Sequence, residues 1–143
     1  MIQFAYKVDN AVIESVMMRP PCEIVVKYVL PAFRSLVARE LIEKHDFSQV
    51  AAAEKLSTTQ AAVSQYLYSK RGRRMVRRFR NLPAVQNVAR KVASGIADGN
   101  LSQVDAMLKL CELCTALRTK DLVCDMHRSA ILLPQVCDVC AET

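Results

Sequence analysis

Apolar residues recur at helical spacing through most of this chain, and convincing strand alternation is hard to find. From Glu23 the positions Ile24, Val25, Tyr28 and Val29, then Phe33, Leu36, Val37 and Leu41, predict two helical stretches meeting near Pro31. Pro20-Pro21 separates them from residues 1–19, whose pattern is ambiguous. Beyond Leu82-Pro83 the stripe Val85, Val88, Ala89, Val92 and Ile96 predicts a helix that stops at Gly99. Ser102 with Asp105 then resembles an N-terminal cap for a helix through Val104, Leu108 and Cys111 toward Leu117. With only 3 Gly and 5 Pro in 143 residues, breakers are scarce, and the predicted class is all-α.

Between these stretches, Ser48 to Leu67 reads SQVAAAEKLSTTQAAVSQYL. Gln49 to Leu56 predicts a short alanine-rich helix, Ser57-Thr58 a turn with a ready N-cap, and Thr59 the start of a second helix of about three turns. On that second helix Ala62, Val63, Tyr66 and Leu67 fall on one side. Gln60, Ala61, Ser64, Gln65 and Tyr68 fall on the other, free to read something. An alanine-rich hairpin buried in some other bundle would show the same pattern.

Charge separates those readings. The net charge is +6, yet it resides in one segment: residues 47–99 hold ten Lys or Arg against Glu54 and Asp98 alone. Residues 1–46 are balanced, and residues 100–143 carry a small acidic excess. Lys70, Arg71, Arg73, Arg74, Arg77, Arg78 and Arg80 follow the second helix directly, with no acid among them. So one-signed a run repels itself without a polyanion, and phosphate contacts would both add affinity and position the preceding helix. Met75, Val76 and Phe79 interrupt the arginines and give the run an amphipathic character. A basic RNA-binding arm competes with the DNA reading, although the major groove of double-stranded RNA is too narrow for a recognition helix.

The stretch 48–67 resembles the phage repressor and Cro class of helix-turn-helix regulators, with Gln at the start of the first helix, Ala at the helix contact and Val-Ser in the second. The resemblance covers residues 23 to 70 at most. It implies that the first helix crosses the DNA backbone, that the second enters the major groove, and that Gln49, Thr59, Gln60, Ser64 and Gln65 occupy positions that touch DNA. One departure stands out: the turn position usually held by Gly, which often needs φ > 0, is Ser57.

The last third carries a different chemistry. Cys111/Cys114, Cys124/His127 and Cys137/Cys140 form C-x2-C, C-x2-H and C-x2-C pairs at a thirteen-residue repeat, each first Cys being followed by an acid. Close pairs of thiolate and imidazole donors let one turn or helical step present two ligands to one ion. Cys111, Cys114, Cys124, Cys137 and Cys140 are therefore candidate metal ligands, with His127 a substitute or supporting group. Cys22, remote in sequence, is assigned to packing. Gly is absent after Gly99 and Pro134 is the only later Pro, which disfavours zinc knuckles. An iron–sulfur cluster is the first expectation, with Zn2+, reactive thiols and simple burial as alternatives.

Over residues 20–140 the chain also resembles small archaeal-type predicted transcriptional regulators that join a Cro-like helix-turn-helix to a cysteine-rich tail, through LPAFRSLVARELIEK and the Cys pairs. The resemblance implies a regulator whose tail senses redox state, oxygen or iron. The expected organisation is an N-terminal helical domain over 1–82, with the helix-turn-helix at 48–69 and the basic run at 70–80. Residues 83–143 then supply a dimerisation helix and the cysteine-rich metal- or cluster-binding segment. The expected partners are a double-stranded DNA operator and a second copy, since one short recognition helix reads few base pairs. No apolar run reaches membrane-spanning length and no signal-peptide layout is present, so a cytoplasmic location is expected. Two His and no Gly-rich loop offer no catalytic constellation, and a non-enzymatic protein is expected, with a thiol redox protein as the alternative class.

Overall fold

Pro31 shapes the entry to the bundle. A proline inside a helix has no N–H to donate, and its ring crowds the carbonyl four residues earlier. The computed structural model, which describes residues 20–68, 74–130 and 140, accommodates Pro31 by widening the turn before it. Helix α1 (Pro21–Ile24) passes into a π-helical turn over Val25–Val29, where the Leu30 N–H reaches the Val25 carbonyl, and then into α2 (Leu30–His45). The two stretches predicted to meet near Pro31 are thus continuous. The wider turn supplies the room that an α-helical turn lacks.

Every regular element among the described residues is helical. After α2 come α3 (Gln49–Lys55), α4 (Gln60–Tyr68), α5 (Arg74–Arg80), α6 (Pro83–Ala97), α7 (Gln103–Thr119) and α8 (Leu122–Ala130). Local chemistry sets several boundaries. Asp46, in the left-handed region at φ 57°, ends α2, and its N–H returns to the Leu41 carbonyl. Gly99 (φ 71°) closes α6 as predicted, and the N–H groups of Asn100 and Leu101 both bond the Gly95 carbonyl. Ser102 opens α7 with a complete capping box: its hydroxyl accepts from the Asp105 N–H, while the Asp105 carboxylate accepts from the Ser102 N–H.

The core forms chiefly where α2 lies against α6. Val29, Val37 and Leu41 meet Val85, Ala89 and Val92, with Phe79 of α5 and Leu113, Leu117, Val123 and Met126 of the last two helices completing it. Each fully buried Val, Leu or Phe contributes about 1.5–3 kcal/mol. The stripe of α6, the expected dimerisation helix, is in large part covered by α2 of the same chain. On α7, by contrast, Val104, Met107 and Leu108 point outward, 60, 56 and 49 % exposed. Among the described residues, no helix is long and apolar enough to cross a membrane.

Candidate functional site

Helices α3 and α4 are joined by a tight turn whose geometry follows from two caps and one unusual backbone angle. The Ser48 hydroxyl accepts from the Ala51 N–H at 3.1 Å, and the Thr59 hydroxyl accepts from the Ala62 N–H at 3.1 Å, so each helix starts on its own side-chain cap. Between them Ser57 adopts φ 50°, the left-handed conformation that Gly enters at little cost. The departure from Gly noted in the sequence therefore falls at a residue that does take positive φ. The Thr58 N–H then returns to the Ala53 carbonyl at 3.0 Å, closing the turn.

Small side chains hold the two helices together. Ala38 of α2, Ala53 of α3 and Val63 of α4 form a compact buried cluster, with Ile42, Leu56, Tyr66 and Leu67 packed around it. Ala52, beside Ala53, is buried in the main core. A larger residue at 52 or 53 would push α3 off its neighbours. With Val63 inward, the opposite face of α4 carries Gln60, Ala61, Gln65 and Tyr68 in solvent, Ser64 half-buried and Thr59 exposed at its start. Gln60 Nε2 donates to Gln49 Oε1 at 2.7 Å, tying the first residue of one helix to the first residue of the other.

The basic run continues from this unit. Lys70, Arg71 and Arg73 lie outside the described residues. Helix α5 buries Phe79 and half-buries Val76 against α2 and the π turn, leaving Arg74, Arg77 and Arg78 exposed. The amphipathic alternative for this run thus holds within α5, where the apolar side packs on the domain and the arginines face water.

At the end of the bundle formed by α1, α7 and α8, thiols gather. Cys124 and Cys140 are buried, Cys114 is half-buried and Cys111 is exposed, while Cys137 lies outside the described residues. Cys124 and Cys140 are hydrogen-bonding neighbours, and Cys124 also donates to the Arg118 carbonyl at 3.9 Å. Burial, reinforced by Cys140, pushes the Cys124 thiol up to about 11. Burial likewise raises Cys114, opposed by Arg118 and reinforced by the nearby Cys22, Cys111 and Cys140. Cys22, assigned to packing, is thus brought within electrostatic reach of the tail because α1 packs on α8. The sequence carried no signal for that approach.

Two cations flank the thiols. The Nε atoms of Arg118 and Arg128 are buried, with no hydrogen-bond partner among the described residues. Arg128 spends its other nitrogens on Asp125 at 3.0 Å and Asp121 at 3.9 Å. His127 is buried on α8. Among the described residues, no three His, Cys, Asp or Glu side chains already stand in a metal-holding arrangement. No protein-family model, curated protein or solved structure matches this chain.

Proposed function

We propose that this chain is a helix-turn-helix DNA-binding regulator that acts as a homodimer and carries a thiol-bound centre in its tail. One observation carries the reading: two short capped helices joined through a left-handed residue, with their leading glutamines linked and the outer face of the second helix free. A turn of this kind fixes the angle between the helices, so α4 projects as a rigid rod while α3 crosses behind it. Gln60 and Gln65 are suited to pair with an adenine edge, and Gln49, Thr59 and Ser64 with nearby backbone or bases. Lys70, Arg71, Arg73, Arg74, Arg77 and Arg78 would neutralise phosphates.

For the tail, the approach of Cys140 to both Cys114 and Cys124, with Cys111 and Cys137 as further candidate donors, favours a soft centre. An iron–sulfur cluster is the first choice and Zn2+ the second. The Nε–H groups of Arg118 and Arg128, which have no partner among the described residues, suit an anionic, sulfur-ligated group, which accepts hydrogen bonds at its sulfurs. Cys124 itself is ill suited to thiol exchange, because a thiol raised to about 11 is almost wholly protonated at neutral pH. Occupancy would stiffen the contact of α7 and α8 with α1, and with it the frame that carries α2.

The experiment is selection of duplex DNA from a random pool with protein purified without oxygen. Gln65→Ala should lose about 1–3 kcal/mol on the selected site and little on random duplex, whereas Arg77→Ala should weaken both and reduce the salt slope by about one. Brown protein with iron and acid-labile sulfide supports the cluster, and colourless protein with about one zinc per chain replaces it by the second choice. Absence of any sequence preference on DNA would remove the regulator reading.

A further inference from the structure

Directly behind the Ser57 turn lies a cleft of about 360 Å³ between α2, α6 and α7. Its walls are apolar, formed by Leu30, Phe33, Val92, Ile96, Met107 and Leu110. Its rim is cationic: Arg34 of α2 and Lys55 at the end of α3 line it, and among the described residues no Asp or Glu does. Among the described residues neither cation has an ion-pair partner. A second depression of about 240 Å³ shares Lys55, Ile96 and Gln103 and extends the groove toward Leu101.

Two features select the occupant. The volume falls in the range of small-molecule sites, which bury most of a ligand and orient it with a few polar groups. An apolar floor with two cations at its edge favours a ligand with an apolar body and one anionic end, because that end can bond both cations while the body is buried between the helices. We propose that this cleft binds a small amphipathic carboxylate, its chain or ring held between α2, α6 and α7 and its carboxylate against Arg34 and Lys55. Leu56 and Ser57 also line the cleft, so the ligand touches the residues that set the angle between α3 and α4. Its effect on DNA affinity rests on the regulator reading; the binding does not.

The test is calorimetric titration of the full chain with decanoate, 2-naphthoate and, as the uncharged control, decanol. At least one carboxylate should bind saturably at one per chain, with decanol about tenfold weaker or more. The Arg34→Gln/Lys55→Gln double variant should lose at least about tenfold in carboxylate affinity without a change in melting temperature. Ala106 lines both depressions, so Ala106→Phe, which fills the groove, should abolish binding, and the charge variant decides the matter should that protein fold poorly. No saturable binding, equal binding of decanol, or full affinity in the double variant would each overturn the site. So would a dimer, dispersed by Met107→Lys, that covers the cleft and excludes the probes. Bound carboxylate should also shift affinity for the selected DNA. Unchanged DNA affinity at full carboxylate occupancy overturns the coupling, and failure of the protein to bind DNA at all counts against the regulator reading while calorimetry still decides the cleft.

Discussion

Gln60 Nε2 donates to Gln49 Oε1 at 2.7 Å, so the first residues of α3 and α4 are joined across the turn. The bond leaves the Gln60 carbonyl oxygen and its second N–H, the pair a bidentate contact with adenine uses, held in a fixed orientation. Gln60→Ala should cost about 1–3 kcal/mol on selected DNA. Gln49→Ala should cost part of that, and the double variant little more than Gln60→Ala alone, because the two act as one unit. Binding titrations read all three. Strict additivity would show that the glutamines act separately.

Ser57 at φ 50° sets up the second outcome. A left-handed backbone costs a non-Gly residue about 1–2 kcal/mol, while Gly loses about 0.4–1 kcal/mol more backbone entropy on folding. The first effect is the larger. Ser57→Gly should therefore raise stability by roughly 0.5 kcal/mol and Ser57→Val should lower it, as urea melts would record.

Gly95 makes the opposite case. A Cβ there would sit 2.8 Å from the Leu101 Cβ, an atom fixed to the backbone that itself bonds the Gly95 carbonyl at 3.1 Å. Gly95→Ala gains about 1 kcal/mol of helix propensity but meets an overpacking cost of about 1–3 kcal/mol that no rotamer change relieves. A lower melting temperature is expected. A higher one would mean that the α6–α7 connection shifts freely.

Cys124 gives a pH dependence with a defined sign. Its folded value, about 11, lies above the ordinary 9.0, so the unfolded chain releases this proton first as pH rises. Its contribution is complete below about pH 9 and is lost as pH climbs toward about 11. Metal-free protein should therefore melt at progressively lower temperature across that window, and Cys124→Ala should flatten the slope. An unchanged slope in the variant would place the titration elsewhere.

What the sequence showed depends on the range of the physics. The cap at Ser102, the stop at Gly99 and the two faces of α4 are local effects, and each was legible, whereas the cap at Ser48 is seen only in the structure. The second N-cap proved to be Thr59, one residue beyond the expected Ser57-Thr58 turn. No element is predicted over Leu122–Ala130, where the Cys and His spacing suits a turn or a helical step equally. Val123 and Met126 nevertheless give the segment an apolar face to bury. Cys111 and Cys114 share a predicted apolar side, yet Leu113 and Leu117 take the interior and leave Cys111 outside. The approach of Cys22 to Cys114 is a product of tertiary packing alone.

That packing of α1 on α8 has a consequence for synthesis. Helices α2 to α6 include the α3–α4 pair and the central α2–α6 contact, and all of them are synthesised before α8. The α1–α8 contact waits until α8 has been made. A nascent chain thus already holds α3 and α4 while the flank of α1 that α8 will cover is still open to water.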